Sequence, residues 1–163
     1  MTNTENDMHE VRDGSRILRF EGTLLGESSS WQQGSYRWIE FELYRTESGS
    51  YVLSRVGVSL IFHGAACPLV TRYNLTEVPS DDLYDDAVPC EECQPTFDLP
   101  VVFPEKYRNW VQVSEDPEAV LSAVYREDKS GSKYLTKVAK RLLEEASDND
   151  SRIEAIYRVE LIP

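Results

Sequence analysis

The feature of this sequence that most restricts its fold is a set of three cysteines and one histidine arranged in two local pairs. His63 and Cys67 are four residues apart, and Cys90 and Cys93 follow with the spacing C-x2-C. Two short pairs of thiol and imidazole ligands suit a tetrahedral zinc ion, because each pair can occupy one edge of the tetrahedron. The spacing therefore predicts that His63, Cys67, Cys90 and Cys93 are metal ligands that join two separate parts of the chain.

These four ligands predict a structural zinc ion, because a shell completed by protein side chains leaves no position for water. The alternative is an open site. If one of the four residues did not bind the metal, a zinc-bound water could support a hydrolase-type enzyme with Glu91 or Glu92 as its general base. The favoured interpretation is non-enzymatic and assigns no catalytic residue.

Two further interpretations depend on thiol chemistry. Cys90 and Cys93 could form a redox dithiol, but the two glutamates between them would raise rather than lower the thiol pKa. Cys67 could be a nucleophile with His63 as its base, but the sequence shows no third group that would orient the histidine. The simplest alternative to a site is that Cys67 is a small buried side chain and that the paired cysteines are incidental.

The composition favours a folded protein. The chain has 163 residues, of which 40% are hydrophobic and 28% charged, as expected for one globular domain. It has no apolar run of about 20 residues, and its first ten residues are polar and acidic, so we expect neither a membrane-spanning helix nor a secretory signal. We therefore expect a cytoplasmic location, where cysteines stay reduced and an odd number of them favours metal binding over disulfides.

The net charge of −12 bears on the partners. A surface this negative repels the phosphate backbone, so we expect no direct binding of nucleic acid, and nothing in the composition indicates a membrane partner. A basic protein is the partner that the charge favours, although solubility alone would also explain it. The sequence contains no P-loop, G-x-G-x-x-G, H-E-x-x-H or G-x-S-x-G motif, which removes the enzyme classes that carry those signatures.

The first half of the sequence predicts strands. Apolar and polar residues alternate over residues 16–25, 36–44 and 51–62, and a Glu-Ser-Gly-Ser turn makes the last two a hairpin. Residues 26–34 are predicted as a loop, and residues 1–14 as a flexible tail before a single domain that spans residues 15–163. On the second strand Trp38 and Tyr44 face away from the predicted core. They could form a binding patch, but we expect the helix of residues 133–147 to cover that face.

The segment of residues 64–104 is predicted to be a long, proline-rich acidic loop held by the metal. It has no regular periodicity, and no basic residue occurs between Arg72 and Lys106. A structureless segment of this length is uncommon inside a compact domain and needs a constraint, which the two ligand pairs would supply. An acidic motif with an aromatic residue in this loop is the predicted partner-binding site, with the residues Asp81, Asp82, Tyr84, Asp85 and Asp86. The alternatives are a site for a hard cation, although the motif lacks the spaced oxygens and the glycine of an EF-hand loop, and a solvated run of charges with no binding role.

The last third predicts a short helix over residues 116–126, a longer amphipathic helix over residues 133–147, and a terminal strand over residues 152–162. Together the patterns predict an α+β fold: an antiparallel sheet of four or five strands, one or two helices packed on one face, and the long acidic loop. The predicted function is a zinc-stapled module that binds a basic protein as an accessory, adaptor or inhibitory subunit. A sharper version of this hypothesis is a mimic of nucleic-acid charge.

Overall fold

The structure is a computed structural model of the chain, and it describes residues 7–73, 75, 86–96, 101–102 and 105–163. The chain forms two compact units. Unit 1 consists of residues 1–30, 39–56 and 109–163, and unit 2 consists of residues 31–38 and 57–108. Among the described residues, no helix has the length and apolar character needed to cross a membrane.

The helices and strands follow one another in this order along the described residues: β1 (Asp7–Asp13), β2 (Arg16–Ser29), β3 (Arg37–Thr46), β4 (Tyr51–Ser59), β5 (Ile61–Gly64), α1 (Pro68–Arg72), β6 (Val88–Pro89), β7 (Val101–Val102), β8 (Tyr107–Ser114), α2 (Pro117–Val124), β9 (Arg126–Glu127), β10 (Lys133–Tyr134), α3 (Lys137–Asn149) and α4 (Ser151–Tyr157). The α+β class is therefore confirmed.

The main sheet has five antiparallel strands in the order β1-β2-β3-β4-β8, and it is curled. The curl brings its two edges together in unit 1, where the backbone N–H of Gly14 donates to the carbonyl of Asn109 at 2.9 Å. The predicted hairpin of the second and third strands is confirmed as β3 and β4. Strand β8 lies where the sequence predicted no element.

The N-terminal hairpin of β1 and β2 corrects the predicted flexible tail. Asp7–Asp13 pair with β2 in antiparallel register, with Asp7 opposite Gly22 and Asp13 opposite Arg16. Val11 of this hairpin packs in a buried cluster with Tyr44 and Val52. The expectation that a helix covers Tyr44 is therefore wrong, because residues of the N-terminal hairpin and neighbouring strands bury its side chain.

The helices cover the opposite face of the sheet and form the larger core of unit 1. Phe41 and Leu43 of β3 point into it, together with apolar residues of α2, α3 and α4. Helix α3 lies very close to β2, since a Cβ placed on Gly26 would come within 3.0 Å of the carbonyl oxygen of Leu142. A side chain at residue 26 would therefore require the backbone of the helix to move by a few tenths of an ångström.

Several element boundaries differ from the prediction. Strand β2 extends to Ser29, so only residues 30–34 of the predicted loop of residues 26–34 lie outside it, and the predicted strand of residues 51–62 is divided into β4 and β5. Helix α3 begins four residues later than predicted, because the Thr136 side chain accepts a hydrogen bond from the N–H of Ala139 and caps it there. Lys133–Tyr134 instead pair with β9.

The largest correction concerns residues 152–162, which form helix α4 and an exposed end instead of a strand. The Asp150 carboxylate accepts hydrogen bonds from the N–H groups of Arg152 and Ile153, at 2.9 and 3.0 Å, and so begins the helix. Ile153 is then fully buried in the larger core. The N-cap and this burial prevail over the alternating pattern that suggested a strand.

Unit 2 contains a small sheet in which β5 pairs with β6 in parallel and with β7 in antiparallel register. The described parts of the predicted irregular segment thus include two short strands and helix α1. Residues 74, 76–85, 97–100 and 103–104 lie outside the described residues. The long acidic loop as a whole therefore stays a prediction.

Candidate metal centre

The four predicted metal ligands come from three adjacent features of unit 2. His63 lies in β5, and Cys67 follows it through a tight turn in which the N–H of Cys67 donates to the carbonyl of Gly64 at 3.0 Å. Cys90 comes directly after β6, and its N–H donates to the carbonyl of Phe62 at 2.9 Å. The pairing of β5 with β6 therefore places the C-x2-C segment beside His63.

The ligand atoms of His63, Cys67, Cys90 and Cys93 lie within 4.8 Å of one another. The Cys67 Sγ and His63 Nδ1 atoms are 3.6 Å apart. With Zn–S and Zn–N bonds of about 2.3 and 2.1 Å, the edge between sulfur and nitrogen in a tetrahedral site is about 3.6 Å. The structure thus brings the predicted ligands together at a spacing that suits a metal ion.

The centre is largely shielded from water. His63, Cys67 and Cys90 are buried, with 1%, 3% and 5% of their surface exposed. Cys93 is partly exposed and is the ligand that solvent can reach. Burial of thiolates away from water would be costly without a cation to neutralise their charge. The burial of these side chains therefore supports a metal ion among them.

The protonation state of His63 favours metal binding. Burial lowers the pKa of His63, and the positive charge of Arg37 lowers it further, against a smaller opposite effect of Glu92. The imidazole is therefore neutral at neutral pH, which is the form that can coordinate a metal. Arg37 is a residue of the site that the ligand spacing did not indicate.

The backbone around the C-x2-C segment donates hydrogen bonds to the sulfur atoms. Burial acts to raise the pKa of Cys90, but the N–H groups of Cys93 and Glu92, with hydrogen bonds from the Cys93 and Cys67 side chains, outweigh it and lower the pKa. The N–H of Gly64 donates to Cys93 Sγ at 3.4 Å. Burial and the neighbouring thiols Cys67 and Cys90 nevertheless raise the pKa of Cys93.

Gln94 completes the turn after the paired cysteines. Its φ angle is +43°, the only positive φ of a non-glycine residue in the described part of the chain. Its N–H donates to the carbonyl of Cys90 at 2.8 Å, which closes the turn. Glycine is the usual residue at such an angle, so the sequence carried no signal for this turn.

The structure describes three of the other predicted site residues. Glu91 and Glu92, the proposed bases of an open site, are both exposed. Asp86 is exposed, and each of its two carboxylate oxygens lies 3.5 Å from Lys106 Nζ. The remaining members of the predicted partner-binding motif lie outside the described residues: Asp81, Asp82, Tyr84 and Asp85.

No protein-family model, curated protein or solved structure matches this chain. The interpretation of the centre therefore depends on its donor atoms. Three sulfurs and one imidazole nitrogen within 4.8 Å of one another favour zinc or an iron–sulfur type of site over magnesium or calcium, which prefer oxygen. Such a centre can bind one metal ion with no ligand from outside the chain.

Proposed function

We propose that His63, Cys67, Cys90 and Cys93 hold a structural zinc ion, and that the protein is a non-enzymatic module that binds a basic protein. In this role it is an accessory, adaptor or inhibitory subunit. The observation that carries the zinc proposal is the meeting of four donor atoms within 4.8 Å of one another. Four protein ligands fill a tetrahedral shell, so the ion supplies stability and leaves no position for a catalytic water.

The small core formed by the described residues of unit 2 supports the need for a metal. Its described residues bury few large apolar side chains, which are Val58, Leu60, Phe62 and Val102. A unit of this size without a sizeable core commonly needs a metal or a disulfide to stay folded. The metal would join β5 to the C-x2-C segment and supply that stabilisation.

The position of the ligands along the chain connects the metal to partner binding. Residues 68–89 lie between Cys67 and Cys90, and the acidic motif of residues 81–86 is within this segment. A metal bound to both cysteines would hold the two ends of the segment together and lower the entropy lost when it binds a partner. The charged residues of the acidic motif are all negative, which favours a partner with clustered lysine and arginine.

Metal analysis of the purified protein tests the zinc proposal. We expect about one zinc ion per chain, and Cys90→Ser or His63→Gln should reduce the bound zinc and lower the Tm by about 10 °C or more. His9→Gln is the matched control, because His9 is the other histidine of the chain and belongs to unit 1. A protein without metal, or variants with unchanged Tm, would contradict the proposal.

The partner proposal is tested by capture of a basic protein from the native host at increasing salt. We expect capture to weaken as salt screens the charges, and to be lost when the acidic residues 81, 82, 85 and 86 are all changed to asparagine. The control changes four exposed glutamates elsewhere to glutamine, which alters the net charge equally: Glu115, Glu127, Glu145 and Glu160. Equal loss of capture in both variants would show that the acidic motif has no special role.

A further inference from the structure

Unit 1 has an open groove that the sequence patterns did not indicate. Its volume is about 580 Å³, and it lies between the N-terminal hairpin, the turn from β3 to β4 and the end of β8. Phe20 and Val113 form its apolar part, and 55% of the Val113 surface is exposed. Glu21 and Glu47 add two carboxylates. A groove of this size, lined by apolar and negatively charged groups, suits a ligand that has both an apolar part and a positively charged part.

The two glutamates are held next to each other by the sheet. Strand β2 pairs with β3 at Gly22 and Thr46, and the N–H of Glu47 donates to the carbonyl of Glu21 at 2.9 Å. The hydrogen bond between the side chains and the charge of Glu47 raise the pKa of Glu21. Among the described residues, neither carboxylate has a basic nitrogen within 4.0 Å. Within the described part of the chain, the pair therefore has no counter-charge.

The backbone that carries this pair is firmly held. The turn is closed by the N–H of Thr46, which donates to the carbonyl of Ser50 at 2.8 Å, and by the N–H of Ser50, which donates to Thr46 Oγ1 at 3.0 Å. A Cβ on Gly22 would lie 2.4 Å from the Arg45 carbonyl oxygen, so the strands approach each other there as only glycine allows. The groove is therefore formed before any ligand binds.

We propose that this groove docks a lysine- or arginine-containing segment of a basic protein partner, with the cationic group between Glu21 and Glu47 and an apolar side chain against Phe20 and Val113. A cation there relieves the repulsion between the two carboxylates, and the net charge of −12 attracts a basic segment. This inference rests on the proposed function in one respect, which is that the partner is basic. It adds a second contact with that partner, in unit 1, to the one proposed for the acidic motif in unit 2.

A titration followed by NMR tests the inference on the full-length, metal-loaded protein. The probe is the peptide acetyl-Lys-Leu-Lys-Leu-amide, with acetyl-Glu-Leu-Glu-Leu-amide and spermine as comparison ligands. We expect the lysine peptide to shift the amide signals of residues 20–21, 46–50 and 113 in a saturable way, and the glutamate peptide to leave them unchanged. Spermine should bind more weakly, because it has no apolar side chain.

Two variants distinguish peptide binding in the groove from a general effect of the protein's net charge. Glu47→Gln should weaken binding of the lysine peptide by about three- to fivefold, the size expected for one exposed charge pair. Glu27→Gln is the matched control, because Glu27 is also an exposed residue but does not line the groove. Its Kd should equal that of the unchanged protein.

Three outcomes would overturn the inference. They are shifts confined to other residues, an equal effect of the two variants, and spermine binding as tightly as the peptide. Shifts that map to residues 86–96 would contradict docking in the groove but would not contradict the proposal of a basic partner. Absence of any peptide binding would also contradict docking in the groove. The metal centre in unit 2 is tested separately, by zinc content and Tm.

Discussion

Gln94 has a backbone conformation that bears on the candidate metal centre. Its φ of +43° lies in the left-handed region, which costs an L-residue other than glycine about 1–2 kcal/mol. Its hydrogen bond to Cys90 closes the turn that presents the two cysteines. The turn therefore carries a backbone strain that the remaining contacts of the site must offset.

Substitutions at Gln94 should follow the cost of a positive φ. Gln94→Val should lower the free energy of unfolding of the metal-loaded protein by about 1–2 kcal/mol and weaken zinc binding, because a β-branched residue disfavours this region strongly. Gln94→Gly should bind zinc at least as tightly as the unchanged protein. Urea unfolding and competition with a zinc-binding dye measure both effects.

The same substitutions at Thr96 provide the control, because Thr96 is exposed and has no positive φ. Thr96→Val should leave zinc affinity unchanged. Equal affinities for the valine and glycine variants at position 94 would show that the turn geometry does not limit metal binding.

Single residues also show why only part of the site could be predicted. Cysteine and histidine are scarce in this chain, so their spacing alone indicated which four side chains meet. The effect of Arg37 on His63, the N–H of Gly64 on Cys93 and the conformation of Gln94 had no such signal. They depend on the path of the backbone, and no residue type at these positions is specific for a metal site.

Among the elements, α4 shows how one buried carboxylate decides between helix and strand. Asp150 caps the helix and also accepts hydrogen bonds from the Tyr51 hydroxyl, at 3.0 and 3.1 Å, and from Arg45 at 3.2 Å. Burial and the hydrogen bond to Asp150 raise the pKa of Tyr51, so the hydroxyl keeps its proton. These contacts are distant in sequence, and the alternation over residues 152–162 could not reveal them.

Removal of this carboxylate should destabilise the larger core. We expect Asp150→Ala to lower the free energy of unfolding by about 2–4 kcal/mol, because the helix loses its cap and the buried Tyr51 hydroxyl loses its acceptor. Asp150→Asn should cost less, because asparagine also caps helices. Urea denaturation measures both changes.

Asp148→Ala is the control for this prediction, because Asp148 is exposed and its salt bridge to Arg158 is on the surface. Its effect should be below about 1 kcal/mol. If the alanine variants at positions 148 and 150 had equal effects, the network around Asp150 would not be what determines the start of α4.

At the scale of the whole molecule, stabilisation is divided unequally between the two units. Both hydrophobic clusters found among the described residues and the helices α2, α3 and α4 belong to unit 1. All four candidate metal ligands belong to unit 2, whose described residues bury few large apolar side chains. Strand patterns in the sequence indicated the sheet, but this division was not predicted, because it follows from which residues pack together.

Metal removal should therefore affect the two units differently. After chelation we expect amide hydrogens of residues 60–67 and 88–94 to exchange about 100-fold faster or more, because unit 2 loses its metal crosslink. Amides at Leu53 and Leu142, which are fully buried in the core of unit 1, should remain protected, and the helical circular dichroism should change little. Exchange rates measured by NMR, with zinc added back as the control, test this expectation. Uniform loss of protection would instead mean that the metal stabilises the entire fold, and unchanged exchange in unit 2 would mean that the centre has no structural role.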